Sequence, residues 1–261
     1  MELLRALASR HPYAGRAALV CAHPDDESIA AGGSLSLLPD LVVVHVTDGA
    51  PRRLDDWRRL GFAAPEAYAS ARAAELRAAL AAAGCDAPHA MLGYPDQDAA
   101  LHLADAARRL AVLFAEHRVE AVLTHAYEGG HPDHDATAWA CHAAARLAAA
   151  RPTVAEFPLY HAGLGEHVKG EFLPSPGPEP VVVHLTDAEQ ARKRAMYAAH
   201  ASQAEVLAGF GAERETFRAA PRYDWRRPPH PGPLLYEHWG WEMTGERWRA
   251  LAAAAEATLW P

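Results

Sequence analysis

Short apolar runs alternate along the chain with longer stretches in which charged residues recur at helical spacing. Ala17–Cys21, Leu41–Val46, Ala90–Leu92, Ala121–Thr124 and Thr153–Phe157 are too short for helices and carry almost no charge, so they read as buried strands. Between them, Pro65–Ala83, Leu103–His117 and Ala136–Ala150 are alanine-rich with charge on one face and read as helices. A strand at Val181–Leu185 follows, then a helix from Asp187 to about Gly209, with Thr186 or Asp187 as N-cap and Glu189 in its first turn. Strand and helix in alternation predict an α/β fold with a mostly parallel sheet covered by helices on both faces. Prolines at 174, 176, 178 and 180, with Gly177, make Leu173–Pro180 a surface connection. No repeat of fixed period is visible.

Length and composition narrow the class. A chain of 261 residues, half of them hydrophobic, suffices for one large domain spanning 1–261, with a proline- and tryptophan-rich segment over about 212–261. The net charge of −8 and scattered arginines speak against a phosphate-tracking groove, so no nucleic-acid partner is expected. Cys21, Cys85 and Cys141 stand far apart, without the spacing of a disulfide framework or a zinc ribbon, and fit a reducing cytoplasm. The first sixteen residues build no signal-like apolar stretch, and no segment approaches a membrane span, so no membrane partner is expected. Trp225, Tyr236, Trp239, Trp241 and Trp248 are expected to anchor the last segment on the domain or to form a subunit interface, which allows a homo-oligomer.

Candidate chemistry is concentrated at two predicted strand ends. Ala22-His23-Pro24-Asp25-Asp26-Glu27 follows the first strand, and His131-Pro132-Asp133-His134 follows the fourth after the Gly129-Gly130 turn. Loops after neighbouring strands of such a sheet converge, so His23, Asp26 and His134 supply the three His and carboxylate ligands of a catalytic zinc with a position open for water. The same set suits non-haem ferrous iron, and the ligands leave the two open. Asp25 is then free to act as general base toward a metal-activated water. His131, protonated, would stabilise an oxyanion or protonate the leaving amine, with Asp133 hydrogen-bonded to it. Glu27 would cap the next helix or orient a ligand. Either cluster alone could be a polar helix-capping turn; the two together point to a metal site.

These clusters closely resemble the signature of the PIG-L/LmbE family of zinc-dependent N-deacetylases. Arg72 and Glu75, Leu92-Gly93-Tyr94-Pro95-Asp96, His200-Ala201-Ser202-Gln203 and Glu215-Thr216-Phe217 resemble its further motifs. The resemblance implies a Rossmann-like, LmbE-like three-layer domain that removes an N-acetyl group from an N-acetylglucosaminyl-type conjugate, a small molecule. It implies His23, Asp26 and His134 as zinc ligands, Asp25 as general base, His131 as transition-state stabiliser, and Arg72 and Asp96 as holders of substrate hydroxyls. Some members carry a tyrosine two residues before the first histidine of the second motif; this chain has Gly129 there, with Tyr127 and Glu128 just upstream. Other readings are an amidase on thiol conjugates of a related amino sugar, a non-catalytic sugar-binding module, and an iron-dependent oxygenase. No Gly-x-Gly-x-x-Gly fingerprint follows the first strand, which disfavours dinucleotide binding.

Overall fold

A computed structural model describes residues 1–165, 167–175 and 179–261. In chain order the main elements are α1 (Glu2–Ser9), β1 (Ala17–Cys21), α2 (Asp26–Ala31), β2 (Leu41–Pro51), α3 (Asp56–Arg59), α4 (Pro65–Ala82), β3 (His89–Asp96), α5 (Leu103–Glu116), β4 (Ala121–His125) and α6 (Pro132–Leu147). There follow β5 (Thr153–Phe157), β6 (Tyr160–His161), β7 (Val168–Lys169), β8 (Val181–His184), α7 (Asp187–Ala199), α8 (Ala204–Leu207), β9 (Arg214–Ala219), α9 (Leu235–His238) and α10 (Gly245–Leu259).

Seven strands form one sheet in the order β3-β2-β1-β4-β5-β9-β8. β1 to β5 are parallel, and β9 and β8 extend the sheet antiparallel. Because successive side chains point to opposite faces, β1 sends Ala18 and Val20 into one core with Leu110, Phe114, Trp139 and Trp248, and Leu19 and Cys21 into the other with Leu3, Leu76 and Met196. Helices α5, α6 and α10 therefore cover one face, and α1, α4 and α7 the other.

Every predicted strand and helix is present, with informative differences at the ends. The sixth helix starts at Pro132, four residues before the expected Ala136, because His131 caps it and proline is suited to the first helical position. The predicted helix 187–209 stops at Ala199: the backbone turns at His200, whose ring is held by Glu27, and Glu75 receives the Ser202 N–H. Thr186 is its N-cap, in a capping box with Glu189. Of the expected connection 173–180, residues 176–178 lie outside the described residues, and the rest holds neither helix nor strand. The strand Arg214–Ala219 and the helices at both ends of the chain were not foreseen.

The chain leaves β1 for β2 on one side and reaches β4 on the other, so the strand order reverses at β1. The crevice at the carboxyl ends of β1 and β4 lies at that reversal, the place where open α/β sheets bind ligands.

Candidate metal centre and active site

His23 and Asp26 come from the loop after β1 and the first turn of α2; His134 comes from the first turn of α6. Nδ1 of His23 lies 3.2 Å from Nε2 of His134 and 3.4 Å from Oδ2 of Asp26, and Oδ1 of Asp26 lies 3.5 Å from His134 Nε2. Ligands about 2.0–2.2 Å from a tetrahedral ion are separated by about 3.3–3.6 Å, so the two imidazole nitrogens and the Asp26 carboxylate, which turns one oxygen to each, are spaced for such a site. The donor chemistry agrees: two imidazoles and a carboxylate, all buried, with Asp25, Asp96 and Asp133 adding negative charge around them. These residues fit a divalent cation.

Two further histidines lie within ligand reach of this set, His131 beside His23 and His134, and His125 beside Asp26 and His134. His125, at the end of β4, stacks on His134 with centroids 4.2 Å apart, and its Nε2 is 3.3 Å from Asp26. That nitrogen also accepts the Ala22 N–H at 2.9 Å, which occupies its lone pair and leaves the ring to orient its neighbours. The sequence reading passed over His125, although a histidine closing a buried strand next to the Gly129-Gly130 loop was a usable signal. His131 lies edge-on to His23 at 4.5 Å.

His131 is placed as a helix cap. Its Nδ1 accepts the Asp133 N–H at 3.1 Å as the N-cap of α6, so a neutral ring carries its proton on Nε2, toward the pocket. Burial, then the neighbouring His23, pushes its pKa well below the usual value, and a helix N-terminus disfavours a cation there. The N-cap hydrogen bond at Nδ1 and burial both favour the neutral ring, whereas a protonated one was expected.

Asp133 does not hold His131 through its carboxylate. Oδ2 lies 3.2 Å from His23 Nε2, on the ring edge opposite Asp26 and His134, and also accepts the Gln97 N–H at 2.6 Å. Oδ1 accepts the Ala99 N–H at 3.1 Å. Asp133 thus ties β1, the end of β3 and α6 together at one carboxylate. Burial raises its pKa to about 6 against the opposing effect of His23.

Asp25 sits at φ 150°, a backbone region that side chains other than glycine rarely adopt. The conformation is fixed from both sides: the Asp25 N–H donates to Glu27 at 2.9 Å, and Arg72 Nη2 donates to the Pro24 carbonyl at 2.8 Å. The same Nη2 stands 3.0 Å from the Asp25 carboxylate. Burial pushes this carboxyl up to about 6, with Arg72 the largest opposing influence. Arg72 also donates to the Gly49 carbonyl at 2.5 Å, so most of its donors are committed to the protein and its first effect is to hold Asp25. Among the described residues its Nε has no hydrogen-bond partner. Asp96 has Oδ1 3.2 Å from His23 Nε2, but that ring edge points at Asp133, and Oδ1 is left without a hydrogen bond in the pocket.

Glu27 anchors the loop from below. Its carboxylate is fully buried between His45 Nε2 at 3.0 Å and His200 Nε2 at 3.1 Å, and it accepts from Ser28 Oγ. Burial opposes its ionisation, but the hydrogen bonds from His200 and His45 hold its pKa well below the usual range. The sequence marked His200 only as part of a family-like motif and did not mark His45, so their meeting at Glu27 was not foreseen. Glu215 likewise supports the back of the site, accepting from Gly33 N, Ser34 N and Lys193 Nζ.

Tyr127 and Glu128 do not reach the pocket. The Tyr127 hydroxyl donates to the Arg227 carbonyl at 3.0 Å, and its ring packs on Trp225 and Trp248. Glu128 accepts the Leu173 N–H at 2.7 Å. Position 129 itself has φ 70°, and a Cβ there would stand 2.7 Å from Leu234, which explains why it holds glycine. Of the tail aromatics, Tyr236 and Trp248 pack fully in the core as expected, whereas Trp239 and Trp241 line the pocket. The cavity measures about 340 Å³, within the range of small-molecule sites.

The family model described as GlcNAc-PI de-N-acetylase, PIG-L, matches residues 18–145. Those residues form a PIG-L family domain. A 1D-myo-inositol 2-acetamido-2-deoxy-alpha-D-glucopyranoside deacetylase of Mycobacterium sp. (strain KMS) is 34% identical over 143 residues, which cover 46% of each chain. The chain thus spans about half the length of the curated relatives it matches. Among solved structures, a deacetylase in the biosynthesis pathway of teicoplanin has a TM-score of 0.64 at 19% identity, covering 80% of this chain and 99% of that one. N,N'-diacetylchitobiose deacetylase from Pyrococcus horikoshii has a TM-score of 0.57 at 17% identity, covering 84% and 91%. The three-layer fold of the PIG-L domain and its C-terminal extension is the fold of these LmbE-like deacetylases. No helix among the described residues is long and apolar enough to cross a membrane.

Proposed function

We propose that the protein is a metal-dependent hydrolase that removes the N-acetyl group from an N-acetylglucosaminyl-type amino-sugar conjugate. The observation that carries this reading is the triangle of His23 Nδ1, Asp26 and His134 Nε2, 3.2–3.5 Å on a side, beside a fourth group, Asp25, that is held by Arg72. A binding module needs no such spare carboxylate. The relative's named substrate, an acetamido-glucopyranoside of inositol, and the sugar amides of the structural neighbours support the same substrate class.

His23, Asp26 and His134 would hold the ion, with zinc favoured and ferrous iron the alternative. When bound, it supplies Lewis acidity and brings the pKa of a water toward neutrality. Asp25 takes the proton from the attacking water and returns it to the amine nitrogen as the C–N bond breaks, leaving acetate and free amine. The Nε2–H of His131 donates to the acyl oxygen as negative charge develops there. Asp133 fixes the orientation of His23. Asp96 Oδ1 accepts a sugar hydroxyl, and Arg72 acts chiefly by positioning Asp25.

The test is acetate release from a panel of N-acetylglucosamine conjugates by metal-free protein, before and after addition of zinc or ferrous iron. Release restored by metal is expected. Stoichiometric metal binding without release from any conjugate, thiol-bearing ones included, would remove the deacetylase reading, and oxygen-dependent turnover with iron alone would replace it by an oxygenase.

A further inference from the structure

The pocket has two chemically different halves. Its floor carries the imidazoles and carboxylates; its outer wall is Tyr160, Val206, Phe210, Trp239 and Trp241. Trp241 stands edge-on to His131 with centroids 4.9 Å apart, and Trp239 is 4.7 Å from Trp241 and 6.1 Å from Tyr160. The rings form a continuous apolar surface from the reacting end of the pocket to solvent. Trp239, at its outer end, is 41% exposed. An indole left in water beside a reaction site forgoes about 25 cal/mol for each Å² of apolar area, which a bound apolar group would recover.

The wall offers few polar partners. The side-chain N–H groups of Gln203 are engaged by Tyr68 and by Ser202. The exceptions are the Gln203 side-chain oxygen, His167, whose ring is 6.0 Å from Tyr160, and Lys169, whose ammonium lies 5.0 Å from the Phe210 ring centroid. No carboxylate pairs with Lys169 among the described residues. A polyhydroxylated group placed here would replace few of the hydrogen bonds it loses to water, whereas a planar ring would cover indole and phenyl faces.

Resting on the deacetylase reading, we propose that the amino sugar carries an aromatic aglycone with an acidic substituent, its ring against Trp239 and Phe210 and its acid at Lys169. Trp239 and Lys169 are then specificity-determining residues that make no contact with the reacting atoms.

The experiment compares methyl, phenyl and 4-carboxyphenyl glycosides of one anomer in two assays. One is acetate release from the N-acetyl compounds by the metal-loaded protein; the other is calorimetric binding of the corresponding glucosaminides. Phenyl should exceed methyl in kcat/KM by about tenfold, mainly through KM, and 4-carboxyphenyl should exceed phenyl about threefold. Trp239→Ala should bring the phenyl-to-methyl ratio close to one in both assays. Lys169→Met should abolish only the carboxylate increment. Equal values for methyl and phenyl, or a Trp239→Ala loss as large for methyl as for phenyl, would overturn the proposal, the latter making Trp239 a platform for the sugar itself. If no glycoside is deacetylated, the function proposed above fails, while the binding series still decides the aglycone preference.

Discussion

Asp133 grips His23 at Nε2, 3.2 Å away, while the other nitrogen of the same ring faces Asp26 and His134. A metal-binding imidazole whose far nitrogen is fixed by a carboxylate has its tautomer and its angle decided before any ion arrives. Asp133→Asn should therefore weaken metal binding by about 10–100-fold, read by competition with a chelating dye. An unchanged affinity would mean that the His23 ring is held by packing alone.

Asp25 tests the division of labour in the opposite direction. Asp25→Asn should lower kcat by about 10²–10⁴-fold, the usual contribution of a positioned acid or base, with metal stoichiometry unaltered. Loss of metal together with activity would make Asp25 a ligand and leave the base unassigned.

Gly130 is constrained by space. A Cβ there would stand only 1.9 Å from the Tyr160 carbonyl oxygen, so β6 passes directly against the turn that leads into α6. Gly130→Ala should displace one of the two, destabilise the fold by about 1–3 kcal/mol and lower the apparent metal affinity, because His134 lies just beyond the turn. Thermal melting with and without metal reads both effects, and an alanine variant as stable as the parent would show that the contact gives way freely.

Glu128 gives a pH signature away from the candidate metal ligands. Burial pushes its pKa from 4.5 to about 8, against the opposing hydrogen bond from the Leu173 N–H. The folded state therefore holds a proton that the unfolded chain releases above about pH 4.5, and this contribution to stability is lost progressively as pH rises from there to about 8. Glu128→Gln, which keeps an acceptor for Leu173, should match the parent near pH 4.5 and exceed it at pH 8 by on the order of a few kcal/mol. A melting temperature difference that does not grow with pH would refute the shift.

The legible parts of the structure were those written locally. Apolar runs gave the strands because burial on both faces leaves no room for charge, and the two His-Pro-Asp clusters gave the floor of the pocket because strand ends in such sheets converge. What escaped depends on long-range partners. His125 reads as the last residue of a strand until Ala22 and Asp26 are seen beside it. His45 is an ordinary isolated histidine, and His200 only one residue of a family-like motif, until Glu27 is found between them. The break at His200 and the reassignment of Asp133 from His131 to His23 have the same origin, since a side chain's partner is chosen by the tertiary approach of elements. Arg214–Ala219 lacks a charge-free run because Arg218 and Glu215 are neutralised inside the fold, by Glu156 and Lys193.

The two halves of the pocket also fall in different parts of the chain. The floor, from His23 to His134, lies within residues 18–145, the segment shared with the family; Tyr160, Lys169, Phe210, Trp239 and Trp241 all lie beyond it. Substitution after residue 145 can therefore redraw the mouth of the pocket while leaving His23, Asp26 and His134 in place. Chimeras joined near residue 145 would take the floor of the pocket from one parent and its mouth from the other.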